Sequence, residues 1–143
     1  MDLITLTIPG EPVAKGRPKV TARGGFARAY TPAKTRQYED LIRCAAAERM
    51  GDHPPLDEAV SVSITAYVKM PKRLSNKART EAMDGVLKPV TRPDLDNYAK
   101  AALDGCNAIV FRDDSLVTDL IIRKRFSERP RLVITVEREV DYQ

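Results

Sequence analysis

Between Ala59 and Met70 the chain reads AVSVSITAYVKM, with Val60, Val62, Ile64, Ala66 and Val68 at every second position and Ser, Ser, Thr and Tyr between them. A period of two places all five apolar side chains on one face of a strand. Such a strand needs cover on that face only, and this limits the chain to a sheet with other elements packed against one side.

The covering elements can be found on either side of it. Leu3 to Ile8 reads as a strand ending at Pro9-Gly10. EPVAKGRPKVTARGGFARAY follows, a Gly-, Pro- and base-rich loop with room for a short hairpin around Gly24-Gly25. Thr31 is placed to cap a helix that has Pro32 at its first position and runs to about Met50. Tyr38, Leu41, Ile42, Ala45 and Ala46 recur along it at helical spacing and are expected to face the core.

After the central strand, Ser75 to Gly85 suits a short helix, and Asp96 to Asn107 a longer one. Leu116–Phe126 and Leu132–Val140 read as two closing strands, joined through SERPR as a hairpin. The order β-α-β-(α)-α-β-β predicts an α+β fold, a mixed sheet of about four strands with helices on one face. At 143 residues the chain is expected to be one domain, residues 1–143. No apolar run approaches the roughly 20 residues that span a bilayer. MDLITLTIPG lacks the basic start and apolar core of a signal peptide, so a cytoplasmic protein without membrane contact is expected.

The residue inventory removes several chemistries. His53 is the single histidine and sits beside Pro54-Pro55; the two cysteines, Cys44 and Cys106, fall in separate predicted helices. A zinc hydrolase, a Ser-His-Asp triad and a disulfide framework therefore lack their reagents. Acid–base work is left to carboxylates, lysine or metal-bound water.

The net charge is only +4, but its distribution is uneven. Lys15, Arg17, Lys19, Arg23, Arg28, Lys34 and Arg36 lie between Glu11 and Glu39 with no acidic residue among them. A second cluster holds Lys69, Lys72, Arg73, Lys77 and Arg79. Clusters of this kind fit a polyanion such as DNA, and equally a solvated surface.

TRPDLDNYAKAALDG, residues Thr91–Gly105, carries the acidic feature of the chain. If the segment stays extended through Asp94-Leu95-Asp96, the two aspartates point one way and Leu95 points into the protein. Lys100 then follows Asp96 at i+4, and Asp113-Asp114 stands at the entrance to the next strand. Carboxylates from a helix start and a strand entrance can converge on a hard divalent cation if the two elements are neighbours. The same residues also serve as a helix cap, an i,i+4 ion pair and a turn. Spacing leaves both readings open.

RPDLDNYAKAALDG followed by VFRDDSLV resembles the signature of the RusA family of Holliday-junction resolvases, small phage- and prophage-associated endonucleases. That signature is D-L-D-N-x-x-K-x-x-x-D and then an Asp-Asp pair leading into a strand. IPGEPVAKGRPK resembles the family's N-terminal strand and basic loop, and the closing hairpin fits its end, while the middle segment, roughly 69–90, and the basic N-terminal loop are longer than in compact members. The resemblance implies a homodimer that binds branched DNA and resolves four-way junctions by paired nicks in recombination and repair. It implies magnesium as cofactor, with manganese as a substitute. Asp94, Asp96 and Asp114 would be the metal ligands and Lys100 the catalytic lysine, with Asp113 as the fallback ligand. Asn97 belongs to the motif, and Asp104 is read as the partner that orients Lys100. Lys15, Arg17, Lys19, Arg23, Arg28 and Arg92 are expected to grip DNA phosphates. The rival is a non-catalytic DNA-binding module that uses the same basic loop. A D-x-D phosphotransferase is disfavoured, because LKPVTRP, not a buried strand, leads into Asp94, and 143 residues is short for a nucleotide-sugar transferase.

Overall fold

The computed structural model describes residues 3–16, 19–21, 23–25, 28–30 and 32–139. Among them the elements run β1 (Leu3–Pro9), β2 (Lys19–Thr21), β3 (Arg28–Tyr30), α1 (Ala33–Met50), β4 (Val60–Lys69), α2 (Asn76–Met83), α3 (Leu95–Cys106), β5 (Val117–Ser127) and β6 (Arg131–Arg138). The fold is α+β. A mixed four-stranded sheet in the order β1-β6-β4-β5 carries the helices, and β2 and β3 form a separate antiparallel hairpin across the Gly24-Gly25 turn.

The strand that restricts the fold most sits inside the sheet. β4 pairs antiparallel with β6 on one edge and parallel with β5 on the other. Val60, Val62, Ile64, Ala66 and Val68 are all buried, while the residues between them are half-buried. They meet Ile4, Leu6 and Ile8 of β1 and Leu132, Ile134 and Val136 of β6 in one core, closed by α1 and α3.

The closing hairpin expected from SERPR does not form. β5 and β6 are consecutive in the chain, yet β4 lies between them. A short link favours neighbours, but β4, with its five buried apolar residues, requires hydrogen-bonded partners on both edges.

In α1 the buried stripe is Thr35, Tyr38, Glu39, Ile42, Ala46 and Met50, which corrects the expectation for Leu41; Leu41 is 56% exposed. Two polar residues share the inner face because each is satisfied there. The Thr35 hydroxyl oxygen accepts the Gly16 N–H at 3.0 Å, and the Glu39 carboxylate accepts from Lys15 at 3.0 Å. Pro32 occupies the cap position and not the first helical position, and Thr31 lies outside the described residues.

The α1–α3 crossing is tight enough to dictate a glycine. A methyl group on Gly105 would run into Cβ and Cγ2 of Ile42. No helix among the described residues is long and apolar enough to cross a membrane.

Candidate functional site

Asp94 stands at the cap position of α3 with extended backbone, φ −68° and ψ 148°. A capping aspartate usually accepts a backbone N–H from the first turn through its carboxylate. Here the side chain makes no such bond, and the Asn97 N–H goes to the Asp94 carbonyl at 3.2 Å instead. Asp96 lies within the first turn, so the segment is not extended through it, and Leu95 is 38% exposed, not turned inward. Both differences follow from α3 starting one residue earlier than expected. Asp94, Asp96 and Lys100 are all exposed, and none of their side chains is held by a hydrogen bond or ion pair among the described residues. The helix N-terminus itself favours the two negative charges.

The approach to α3 is fixed by a residue that the sequence motif does not contain. Lys124, on β5, donates through Nζ to the carbonyls of Thr91 at 2.7 Å and Pro93 at 2.9 Å. Nothing in the local sequence marks this lysine, because its partners lie 33 and 31 residues away and are backbone atoms.

At the other end of α3, Asn107 caps the helix, and its Oδ1 accepts the Asp114 N–H at 3.0 Å. Reciprocal bonds between Leu56 and the segment around Phe111, at 2.8 Å each, anchor the same corner. Asp113 and Asp114 then divide their roles. The Asp113 carboxylate accepts the Ser115 N–H at 3.1 Å and caps a single 3-10 turn. Hydrogen bonding to Ser115 holds its pKa below the ordinary aspartate value. The Asp114 carboxylate has no partner among the described residues.

β5 thus runs back along α3, starting beside the helix C-terminus and ending beside its N-terminus. A helix of 12 residues is about 18 Å long. Asp114 therefore lies at the opposite end of the helix from Asp94 and Asp96, although the two elements are neighbours. Consistent with this, no group of three or more His, Cys, Asp or Glu side chains among the described residues is gathered closely enough to hold a metal ion. The convergence that the spacing suggested does not occur within one chain.

A family model for endodeoxyribonuclease RusA matches residues 9–137. The chain belongs to the RusA family. It is also 39% identical over 145 residues to a Bacillus subtilis (strain 168) protein described as uncharacterized protein YqaN, covering 98% of this chain and 99% of that one. Membership of the RusA family implies endonuclease activity on DNA, and the match spans the whole site, from the Glu11 loop through α3 to β6.

Against the RusA pattern, the supporting residues need reassignment. Asp104 does not orient Lys100. Its carboxylate pairs with Lys15, whose ammonium also reaches Glu39 at 3.0 Å. Burial opposes the Lys15 charge, but the hydrogen bonds and charges of Asp104 and Glu39 prevail and raise its pKa above the lysine value. The Lys15 N–H also donates to the Asn97 carbonyl at 2.9 Å. Lys15, expected on DNA, is thus a tie between the N-terminal loop, α1 and the RusA helix. Asn97 takes part in that tie through its backbone. Arg92 is exposed beside Asp94, as a phosphate contact requires. Arg17 lies outside the described residues, as do the side chains of Lys19, Arg23 and Arg28, whose backbones lie in the β2–β3 hairpin region.

Proposed function

We propose that this chain is a magnesium-dependent, structure-selective endonuclease that resolves four-way DNA junctions by paired nicks, acting as a homodimer in the cytoplasm. The observation that carries the reading is the start of α3. Two aspartates of the family motif stand there, neither of them used by the protein, with Lys100 one turn behind Asp96.

The donor set fits magnesium, which takes oxygen ligands and is commonly held by one or two carboxylates together with substrate phosphate. Asp94 and Asp96 would hold it, and Asp114 would complete the set. When bound, the ion polarises the phosphodiester and lowers the pKa of a coordinated water. Manganese, which also accepts carboxylate and water ligands, would substitute. Lys100 places a positive charge where the phosphorane becomes more negative. Arg92 holds a neighbouring phosphate, and Lys124 keeps the backbone before Asp94 in place.

The homodimer has support from the separation of the aspartates. β5 is an edge strand, and its Leu120 and Ile121 are 41% and 49% exposed. A two-fold axis that pairs β5 with a second β5 antiparallel sets the start of one strand beside the end of the other. Asp114 of each copy then approaches the start of α3 in the opposite copy. Two such sites, related by symmetry, suit two opposed strands of a junction.

The test incubates the protein with a synthetic four-way junction and with linear duplex, with and without magnesium, alongside Asp94→Asn and Lys100→Ala. The reading expects symmetric nicks in the junction, only with metal, and their loss in both variants. Equal cutting of duplex rejects structure selectivity. Tight junction binding without any cutting favours the non-catalytic module, and full activity in Asp94→Asn rejects the assigned site.

A further inference from the structure

Beside the start of α3 lies a groove of about 320 Å³ to which the family motif contributes little. The carboxyl ends of the parallel pair β4 and β5 supply Val68 and Phe126 to its wall, and the chain around α2 supplies Leu74 and Leu87. Tyr98 of α3 lines it, and so does Pro93, the residue immediately before Asp94. Leu87 to Pro93, the approach to α3, lines it without a gap.

The volume is at the lower end of small-molecule sites, roughly 300–1,000 Å³. It admits one flat ring system, not a duplex. Lys69, Lys88 and Arg92 line it as exposed cations, and Glu11 is the acidic residue among them. The Glu11 carboxylate already accepts the Lys69 N–H, at 3.2 and 3.4 Å from its two oxygens. An apolar slot with an excess of positive charge matches the two parts of a nucleotide, a flat base and an anionic phosphate.

We propose that this groove is a nucleobase subsite that takes one unstacked base of the branched DNA next to the scissile phosphate. The inference rests on the nuclease reading above and adds a substrate contact to it. A branch point supplies such a base at little cost, because bases there are already partly unstacked, whereas a continuous duplex must first break a stack. Phe126 and the prolines provide apolar surface for the base, and Lys88 and Arg92 receive the flanking phosphates. The groove then contributes to junction selectivity through accommodation of a displaced base, in addition to backbone contacts.

The experiment places 2-aminopurine at successive positions around the branch of a four-way junction and follows its fluorescence on addition of metal-free protein. Fluorescence is expected to rise at one position beside the branch and to stay low in linear duplex. Leu87→Trp, which fills the slot from a half-exposed position, is expected to abolish that rise and weaken junction binding about tenfold, while duplex binding holds. Phe126→Ala should act in the same direction, and a thermal melt of each variant confirms that it folds. A bound junction with no responsive position overturns the subsite, and so does an unchanged response in Leu87→Trp. Loss of self-association in Leu87→Trp with the fluorescence response intact also overturns it, and assigns the groove to a second copy of the chain. Failure of wild type to bind the junction at all removes the nuclease reading itself, which separates the two failures.

Discussion

The Asn107 side chain accepts the backbone N–H of Asp114 at 3.0 Å, and this bond fastens the entrance of β5 to the end of α3 farthest from Asp94. The three aspartates proposed as metal ligands, Asp94, Asp96 and Asp114, are therefore split between the two ends of one helix. A site that uses all three has to draw on two chains.

That geometry makes a specific prediction about mixed dimers. Asp94→Asn and Asp114→Asn should each be inactive on a four-way junction. When the two proteins are mixed and allowed to exchange subunits, one site of each heterodimer regains an intact set. Nicking of single strands should then return without paired cleavage, as read on a denaturing gel. Mixtures that stay inactive despite proven heterodimers would place the whole site within one chain.

Asp113 and Asp114 should differ although they are adjacent. Asp113→Asn keeps an oxygen able to accept the Ser115 N–H, and its nicking rate should stay within about twofold of wild type. Asp114→Asn, whose carboxylate the fold does not use, should lower the rate at least a hundredfold with an unchanged melting temperature. Rate assays paired with thermal melts decide this.

Lys15 should matter for stability more than for DNA. Lys15→Met leaves Glu39, which is 5% exposed, without its nearer cation, and should cost about 1–3 kcal/mol in urea unfolding at neutral pH. The folded Lys15 pKa is raised, so the folded state binds this proton more tightly than the unfolded chain does. The contribution is complete below the ordinary lysine value of 10.5 and is lost as pH rises through the higher folded value. The gap between wild type and Lys15→Met should accordingly hold at neutral pH and close above 10.5, as followed by urea unfolding at a series of pH values.

Gly105→Ala should destabilise despite alanine's better helix propensity. Propensity contributes about 1 kcal/mol in favour, while overpacking against Ile42 costs about 1–3 kcal/mol. Combining it with Ile42→Ala should recover part of the loss, giving a coupling energy in a double-mutant cycle. Simple additivity would show that the two helices separate freely at this point.

The sequence by itself determined the elements and the chemistry to look for. Strict alternation from Val60 to Val68 identified β4, because side-chain periodicity is set by residues a few positions apart, and resemblance to the RusA motif, not spacing, made Asp94, Asp96 and Lys100 candidates for a site. Leu41 misled for the same local reason. An apolar residue at helical spacing looks like core, and only the ties from Lys15 to Glu39 and from Gly16 to Thr35 show which face of α1 turns inward. The tertiary structure alone decided that β4 separates β5 from β6, that Asp104 belongs to Lys15, and that Asp114 lies at the opposite end of α3 from Asp94. Each depends on partners distant in the chain, and sheet order and the relative direction of α3 and β5 leave no trace in local spacing.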